Sequence, residues 1–145
     1  MSSILIKQFE NTYHRTQVIA LWQSVFGHQT AHNRPPLAID KKLDVSDDLF
    51  FVALLDDVVV GTAMAGYDGH RGWIYSVAVH PLQRKQGIGS QLVLHAERAL
   101  TAKGCMKINL QILQSNQEVT AFYSSLGYVV EERVSMSKLI GENIP

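Results

Sequence analysis

The chain has 145 residues, 46% of them hydrophobic, enough for one domain with a real core and too few for a second, and disorder is excluded at that apolar content. Lys plus Arg (13) balances Asp plus Glu (13), which argues against a nucleic-acid or membrane-surface protein, while a local basic pocket stays compatible. The lone Cys105 excludes an intramolecular disulfide, and no signal-like segment or membrane-length apolar run is seen, so the cytoplasm is the expected compartment.

A first strand is expected over Ser3–Phe9. Asn11 or Thr12 is placed to cap a helix running to Phe26, with Val18, Ile19, Leu21, Trp22 and Phe26 at helical spacing. A polar loop follows and ends in Arg34-Pro35-Pro36, where the residue before proline is held extended. A short helix is expected over Pro36–Leu43, with Leu37, Ile39 and Leu43 inward. Apolar runs at Leu49–Leu55 and Val58–Tyr67 flank Asp56-Asp57 and predict a hairpin. Gly61, Ala65 and Gly66 in its second strand point to a bulge or a close approach by another element. After a turn at Asp68–Gly72, a third strand runs from Trp73 to His80.

Next comes a loop bearing Arg84, Gly87 and Gly89, and then a helix. Ile88, Leu92, Ala96 and Ala99 form its apolar stripe, Val93 and Leu100 widen it, and Gly104 stops it. His95 falls at the apolar edge and is read as a packed histidine. Met106–Ile112 is expected as a strand parallel to Trp73–Val79, joined by a right-handed crossover. Ser115–Glu118 reads as a capping box before a helix to Leu126. Tyr128–Glu131 and Arg133–Leu139 read as a closing hairpin with Met136 and Leu139 in the core, and Gly141–Pro145 as a loose tail.

The strand, loop and helix from Trp73 to Lys103 carry the chemistry. A helix start leaves backbone N–H groups without partners at the positive end of the dipole, a place suited to phosphate. Gly87 can take positive φ or admit a ligand oxygen close to the chain. Gly89 lies in the first turn, where a side chain would project toward a diphosphate. Arg84 adds a charged fork of donors, and Ser90 one more hydrogen bond. Neither a P-loop nor a full Gly-x-Gly-x-x-Gly is present, and a Gly-x-Gly alone also suits an ordinary strand-to-helix turn.

Val77-Ala78-Val79-His80-Pro81 followed by Arg84-x-x-Gly87-x-Gly89 resembles the acetyl-CoA-binding motif of the GCN5-related N-acetyltransferases. Asn116, Ala121-Phe122-Tyr123 and Leu126-Gly127-Tyr128 resemble that family's second signature. The stretch Gly61–Tyr75 is similar to the YpeA-type small bacterial members. The resemblance covers Phe51 to Ile140. It implies an α/β fold with a mixed, mostly antiparallel sheet of six to seven strands and about four helices. The sheet would be splayed between strand 73–80 and strand 106–112, and residues 1–145 would form a single N-acetyltransferase domain. It implies acetyl-CoA as co-substrate, held by Val77, Ala78, Val79, Arg84, Lys85, Gln86, Gly87, Ile88, Gly89, Ser90, Asn116 and Tyr123, with no metal. It places the first helical pair beside the acceptor, making Trp22, Phe26 and Arg34 candidate substrate contacts, although Trp22 and Phe26 suit a core better. A homodimer through the last strands is implied by resemblance alone.

Acetyl transfer to an amine needs an anchored donor, a polarised carbonyl, a neutral amine and a protonated thiolate. A backbone N–H of Val77 or Val79 can polarise the carbonyl. Tyr123 lies two helical turns after Asn116 and is the candidate acid by resemblance; a buried aromatic with a structural hydrogen bond is the other reading. Many relatives hold a glutamate on or near the strand before the loop, where this chain has Trp73, Tyr75 and Ser76. Ser76 can order a relaying water, and His28, Asp68 or His70 can approach from loops. The expected activity is acetyl transfer to a primary amine of a small molecule or peptide. A silent acyl-CoA sensor and a protein-interaction subunit are the alternatives.

Overall fold

The computed structural model describes residues 3–141, so the tail expected over 141–145 lies, from residue 142 on, outside the described residues. The chain divides into two compact units at the 110/111 boundary. The first unit contains β1 (Ile4–Gln8), α1 (Asn11–Phe26), α2 (Pro35–Val45), β2 (Phe50–Leu55), β3 (Val58–Tyr67), β4 (Gly72–Val79), α3 (Ile88–Ala102) and β5 (Ile108–Asn109). The second contains α4 (Gln117–Ser125).

The strands lie in the order β1-β2-β3-β4-β5, antiparallel as far as β4 and parallel between β4 and β5. The mixed, mostly antiparallel α/β architecture is the expected one. The strand count differs, with 5 strands among the described residues instead of six to seven. The two strands of the expected closing hairpin account for the difference, and one other expected strand is much shortened. The strand expected over 106–112 shrinks to Ile108–Asn109, and the hairpin expected over 128–139 forms no ladder. Met136 is 89% exposed and Leu139 is 52% exposed, so neither sits in a core. An isolated two-stranded ribbon is marginal in water, and a period-2 pattern without a neighbouring strand does not make one.

β2 shows why helices cover both faces of this sheet. Phe50 through Leu54 are all buried, and successive side chains point to opposite faces. Phe50, Val52 and Leu54 join Val18, Leu21, Trp22 and Ile39 of α1 and α2 in one core. Phe51 points the other way, edge-on to His95 of α3. The β2–β3 turn places Asp56 (φ 50) and Asp57 (φ 64) in left-handed backbone, as a two-residue hairpin turn requires. Gly61 answers the question its sequence posed. A β-carbon there would lie 2.9 Å from Leu92 Cδ1 and 3.1 Å from the Ala78 carbonyl, so α3 approaches β3 closely at this point.

The first helix is capped differently from expectation. Glu10 is its N-cap, and the Glu10 N–H donates to Nδ1 of His14, which is buried. α2 begins at Pro35, and its inward positions are Pro35, Ile39 and Lys42; Leu43 faces outward.

Candidate functional site

β4 changes character halfway along. Its pairing with β5 covers only Gly72 and Trp73. Against β3, Met64 pairs with Tyr75 and Thr62 with Ala78, so Ser76 and Val77 together face Ala63. That is a β-bulge, and Ser76 takes left-handed backbone there (φ 51). The bulge reverses which edge the main chain faces. In an unbroken strand, residues an even number apart point their N–H and C=O groups to the same neighbour. Gly72 and His80 do not: the Gly72 N–H donates to Lys107 on the β5 side, and the His80 N–H to Val60 on the β3 side, both at 2.8 Å. The extra residue therefore turns the main-chain groups of Val77 and Val79 toward the edge away from β3. Ala78 is buried and packs in the core shared with α1.

The loop after β4 is built to expose amides. A single 3-10 turn, Pro81–Gln83, is capped by His80, whose Nδ1 accepts from the Leu82 N–H at 3.1 Å. The chain then passes through Lys85 (φ 63) and Gly87 (φ 80, ψ 8), which is the N-cap of α3. Among the described residues, no protein acceptor takes the N–H of Lys85, Gln86, Gly87, Ile88, Gly89 or Ser90. The last four, Gly87 to Ser90, are the donors that a helix start leaves unpaired, Lys85 and Gln86 precede them in the loop, and α3 lengthens the dipole behind them. Arg84 is exposed, and its Nε donates to the Val79 carbonyl at 3.3 Å, tying the end of β4 to the loop. Ile88 is 1% exposed, so its side chain is core and only its main chain is offered.

On the helical face the expectations separate. Trp22 is 3% exposed and packs over Phe50, so it is a core residue and not an acceptor contact. Its indole N–H donates to Thr62 at 2.8 Å. Phe26 at the end of α1 is 39% exposed, and Arg34 is exposed at the N-cap of α2. Both remain available to a ligand.

Lys42 gave no signal in the sequence. Its Nζ is buried against the Ala65 carbonyl and the Asp47 carboxylate (2.8 Å), and lies 5.6 Å from the centre of the Tyr75 ring. The cation thereby fixes α2 to the outer end of β3 and to the first half of β4. Thr62 was missed as well. A lone hydroxyl inside the run Val58–Ala65 was the available signal, because a buried hydroxyl needs partners.

Asp68 is occupied with its own turn. Its Oδ1 accepts from the N–H groups of His70 (2.8 Å) and Arg71 (2.7 Å), and these bonds hold its carboxyl below the usual range. It is a poor proton acceptor for a site elsewhere. His28 and His70 are exposed. His95 is half-buried against Phe51, and burial lowers its pKa, in line with a packed histidine.

In the second unit, Asn116 is the N-cap of α4, with Oδ1 accepting from the Val119 N–H at 3.1 Å. Its acceptor is thus used locally, and what it offers a ligand is its amide N–H2. Tyr123 is 7% exposed and stands edge-on between Phe122 and Tyr128. Burial pushes its hydroxyl up to about 12, so it holds its proton at neutral pH. Among the described residues, no group of three or more His, Cys, Asp or Glu side chains is placed to hold a metal, and no helix is long and apolar enough to cross a membrane.

The model of the Acetyltransferase (GNAT) family matches residues 8–128. An acetyltransferase of Sodalis glossinidius is 41% identical over 118 residues, covering 81% of this chain and 82% of that protein. An acetyltransferase of Pectobacterium atrosepticum is 37% identical over 126 residues, covering 87% and 89%. Among solved structures, the aminoglycoside N-acetyltransferase AAC(6')-Iy in complex with CoA superposes with a TM-score of 0.78 at 23% identity, covering 96% of each chain. The PaiA N-acetyltransferase of Thermoplasma acidophilum, also bound to coenzyme A, gives 0.71 at 19% identity, covering 91% and 93%. At those identities the structures speak for the fold alone. The match over residues 8–128 and the two bacterial relatives place this chain in the GNAT acetyltransferase family.

Proposed function

We propose that the protein transfers an acetyl group from acetyl-CoA to a primary amine of a small molecule or peptide, by direct attack and as a single catalytic domain. The observation that carries the reading is the run of unpaired amides from Lys85 to Ser90 at the start of α3. In this reading those amides, with the Arg84 guanidinium and the Ser90 hydroxyl, bind the diphosphate. The main chain of Val77 and Val79 pairs with the pantetheine arm as a strand edge would, with Ala78 as its apolar floor and the Asn116 amide as a further donor. The Val77 N–H donates to the thioester oxygen as negative charge develops there. Phe26 and Arg34 contact the acceptor, and the Ser76 hydroxyl orders the water that takes the ammonium proton.

Tyr123 gives the proton that the departing thiolate needs. A thiol titrates near ~8.5 and burial pushes the Tyr123 phenol up to about 12, so giving up that proton alone is uphill. The proton therefore leaves the Tyr123 oxygen only as another arrives from the attacking nitrogen. The test is calorimetric titration with CoA, followed by thiol release from acetyl-CoA over an amine panel. Binding with turnover supports the enzyme, and binding without turnover on any amine makes the chain an acyl-CoA sensor. Lack of binding ends both readings. For Tyr123→Phe, kcat should fall about 10- to 1,000-fold with CoA affinity kept; an unchanged rate removes Tyr123 from this role.

A further inference from the structure

The bulge in β4 is held from the core by two residues outside the phosphate loop. Thr62 is fully buried in β3, and Trp22 nearly so in α1. The Trp22 Nε1–H donates to Thr62 Oγ1 at 2.8 Å, and the Thr62 hydroxyl donates to the Ser76 carbonyl at 2.9 Å. Chemistry fixes the direction of both bonds. An indole N–H can only donate, so the hydroxyl accepts there. A carbonyl can only accept, so the single hydroxyl proton goes to Ser76. The relay therefore ends on one peptide group, Ser76–Val77. That peptide is trans and planar, so its C=O and N–H point in opposite directions. With the carbonyl drawn toward Thr62 on the β3 side, the Val77 N–H is turned to the other edge. Ser76 meanwhile sits in left-handed backbone, which a β-carbon disfavours and surrounding contacts must enforce.

We propose that Trp22 and Thr62 are positioning residues for acetyl transfer: their hydrogen-bond relay aims the Val77 N–H at the thioester oxygen. This inference rests on the acetyl-CoA reading above. A valine at position 62 would suit the neighbouring β-branched run equally well for packing. It would leave both the Trp22 N–H and the Ser76 carbonyl without a partner, and the bulge peptide without the bond that orients it. The relay runs from α1, the helix that ends at Phe26, to the centre of β4. Acceptor-side structure and carbonyl polarisation are thereby joined through the core.

The test measures three quantities on the full chain and on Thr62→Val, Thr62→Ser and Trp22→Phe. They are acetyl-CoA affinity, kcat and KM with a panel amine, and the isotope-edited infrared band of the bound thioester carbonyl. The parent protein should lower the carbonyl frequency on binding. Thr62→Val should keep acetyl-CoA affinity, return the band toward its free position and lose about 10- to 100-fold in kcat, with the amine KM little moved. Thr62→Ser should restore band and kcat, and Trp22→Phe should fall between. Should Thr62→Val fail to fold, Trp22→Phe keeps an aromatic ring in the core and carries the same comparison. A parent-like band and kcat in the variants that fold overturn the relay and leave acetyl transfer standing. If the parent protein does not bind acetyl-CoA, acetyl transfer falls and the relay with it.

Discussion

Residues 72–75 and residues 77–79 belong to one strand and differ in what their main chain serves. The first stretch is built into the sheet. Gly72 and Trp73 have strand neighbours on both sides, and Tyr75 lies under the buried Lys42 cation. The second stretch has β3 on one side, and its remaining backbone groups face an edge that β5 does not reach. One surplus residue at the bulge separates the two. The difference teaches that a strand can pass from structural to ligand-facing without any change of residue type, since both halves are apolar. A single residue of register is enough, because the side-chain and main-chain periods of a strand are both two.

That contrast is broken most strongly at the far end, where the ligand-facing half runs into the loop. Gly89→Arg should lower CoA affinity by at least about 100-fold, or about 2.7 kcal/mol, by placing a long side chain in the first turn of α3. Thermal stability should stay near the parent value. A normal CoA titration with this variant would show that the diphosphate is not bound there.

At the structural half the expected loss is of stability and not of affinity. Lys42→Met leaves Asp47 without its cation and the Ala65 carbonyl without its donor. Removing one member of a well-buried pair is strongly destabilising, and Asp47 is partly exposed, so the cost should be about 2 kcal/mol in denaturant unfolding. CoA affinity should be kept. A stability unchanged by Lys42→Met, or an affinity lost with it, would contradict the division of labour along β4.

The smallest effect sharpens the background. His14 is buried and accepts the Glu10 N–H through Nδ1, so folding favours its neutral form, and burial lowers its pKa below the ordinary 6.5. His95 shifts the same way through burial. The unfolded chain therefore binds more protons in the window just below pH ~6.5. Stability should be complete above that point and decline as pH falls through the lowered folded-state values. Melting curves across this range check the sign, and His14→Gln should flatten part of the slope. CoA binding should not follow the same profile, because neither histidine lies on β4 or in the loop.

Much of the site was readable from local chemistry, because the features concerned are local. Gly87 reads as a positive-φ position from its place between a strand and an amphipathic helix, and unpaired amides at a helix start follow from helix geometry alone. The Asp56-Asp57 turn was equally plain, and of the expected stripe Ile88, Leu92 and Ala96 are buried with Val93 and Leu100 beside them, while Ala99 is only half-buried. The misreadings have separate causes. Trp22 stood as an acceptor candidate only through the family resemblance, and its place in the helical stripe already favoured the core. Lys42 passed without notice because its partners, Asp47, Ala65 and Tyr75, come together only in the folded chain. The hairpin expected over 128–139 forms no ladder, because a short apolar run does not by itself specify a pairing partner.

The sequence by itself determined the order of the elements from β1 to α4, the loop that presents free amides and much of the apolar core, though not the places of Leu43, Met136 and Leu139. Those are set by backbone geometry and hydrophobic period within a few residues of each position. Only the tertiary structure decided that β4 carries a bulge, that Thr62 and Trp22 hold it, and that Val77 and Val79 face the open edge. Register between strands is a long-range choice, made when β3, β4 and α1 pack together, and no window of residues along β4 contains the partners that settle it.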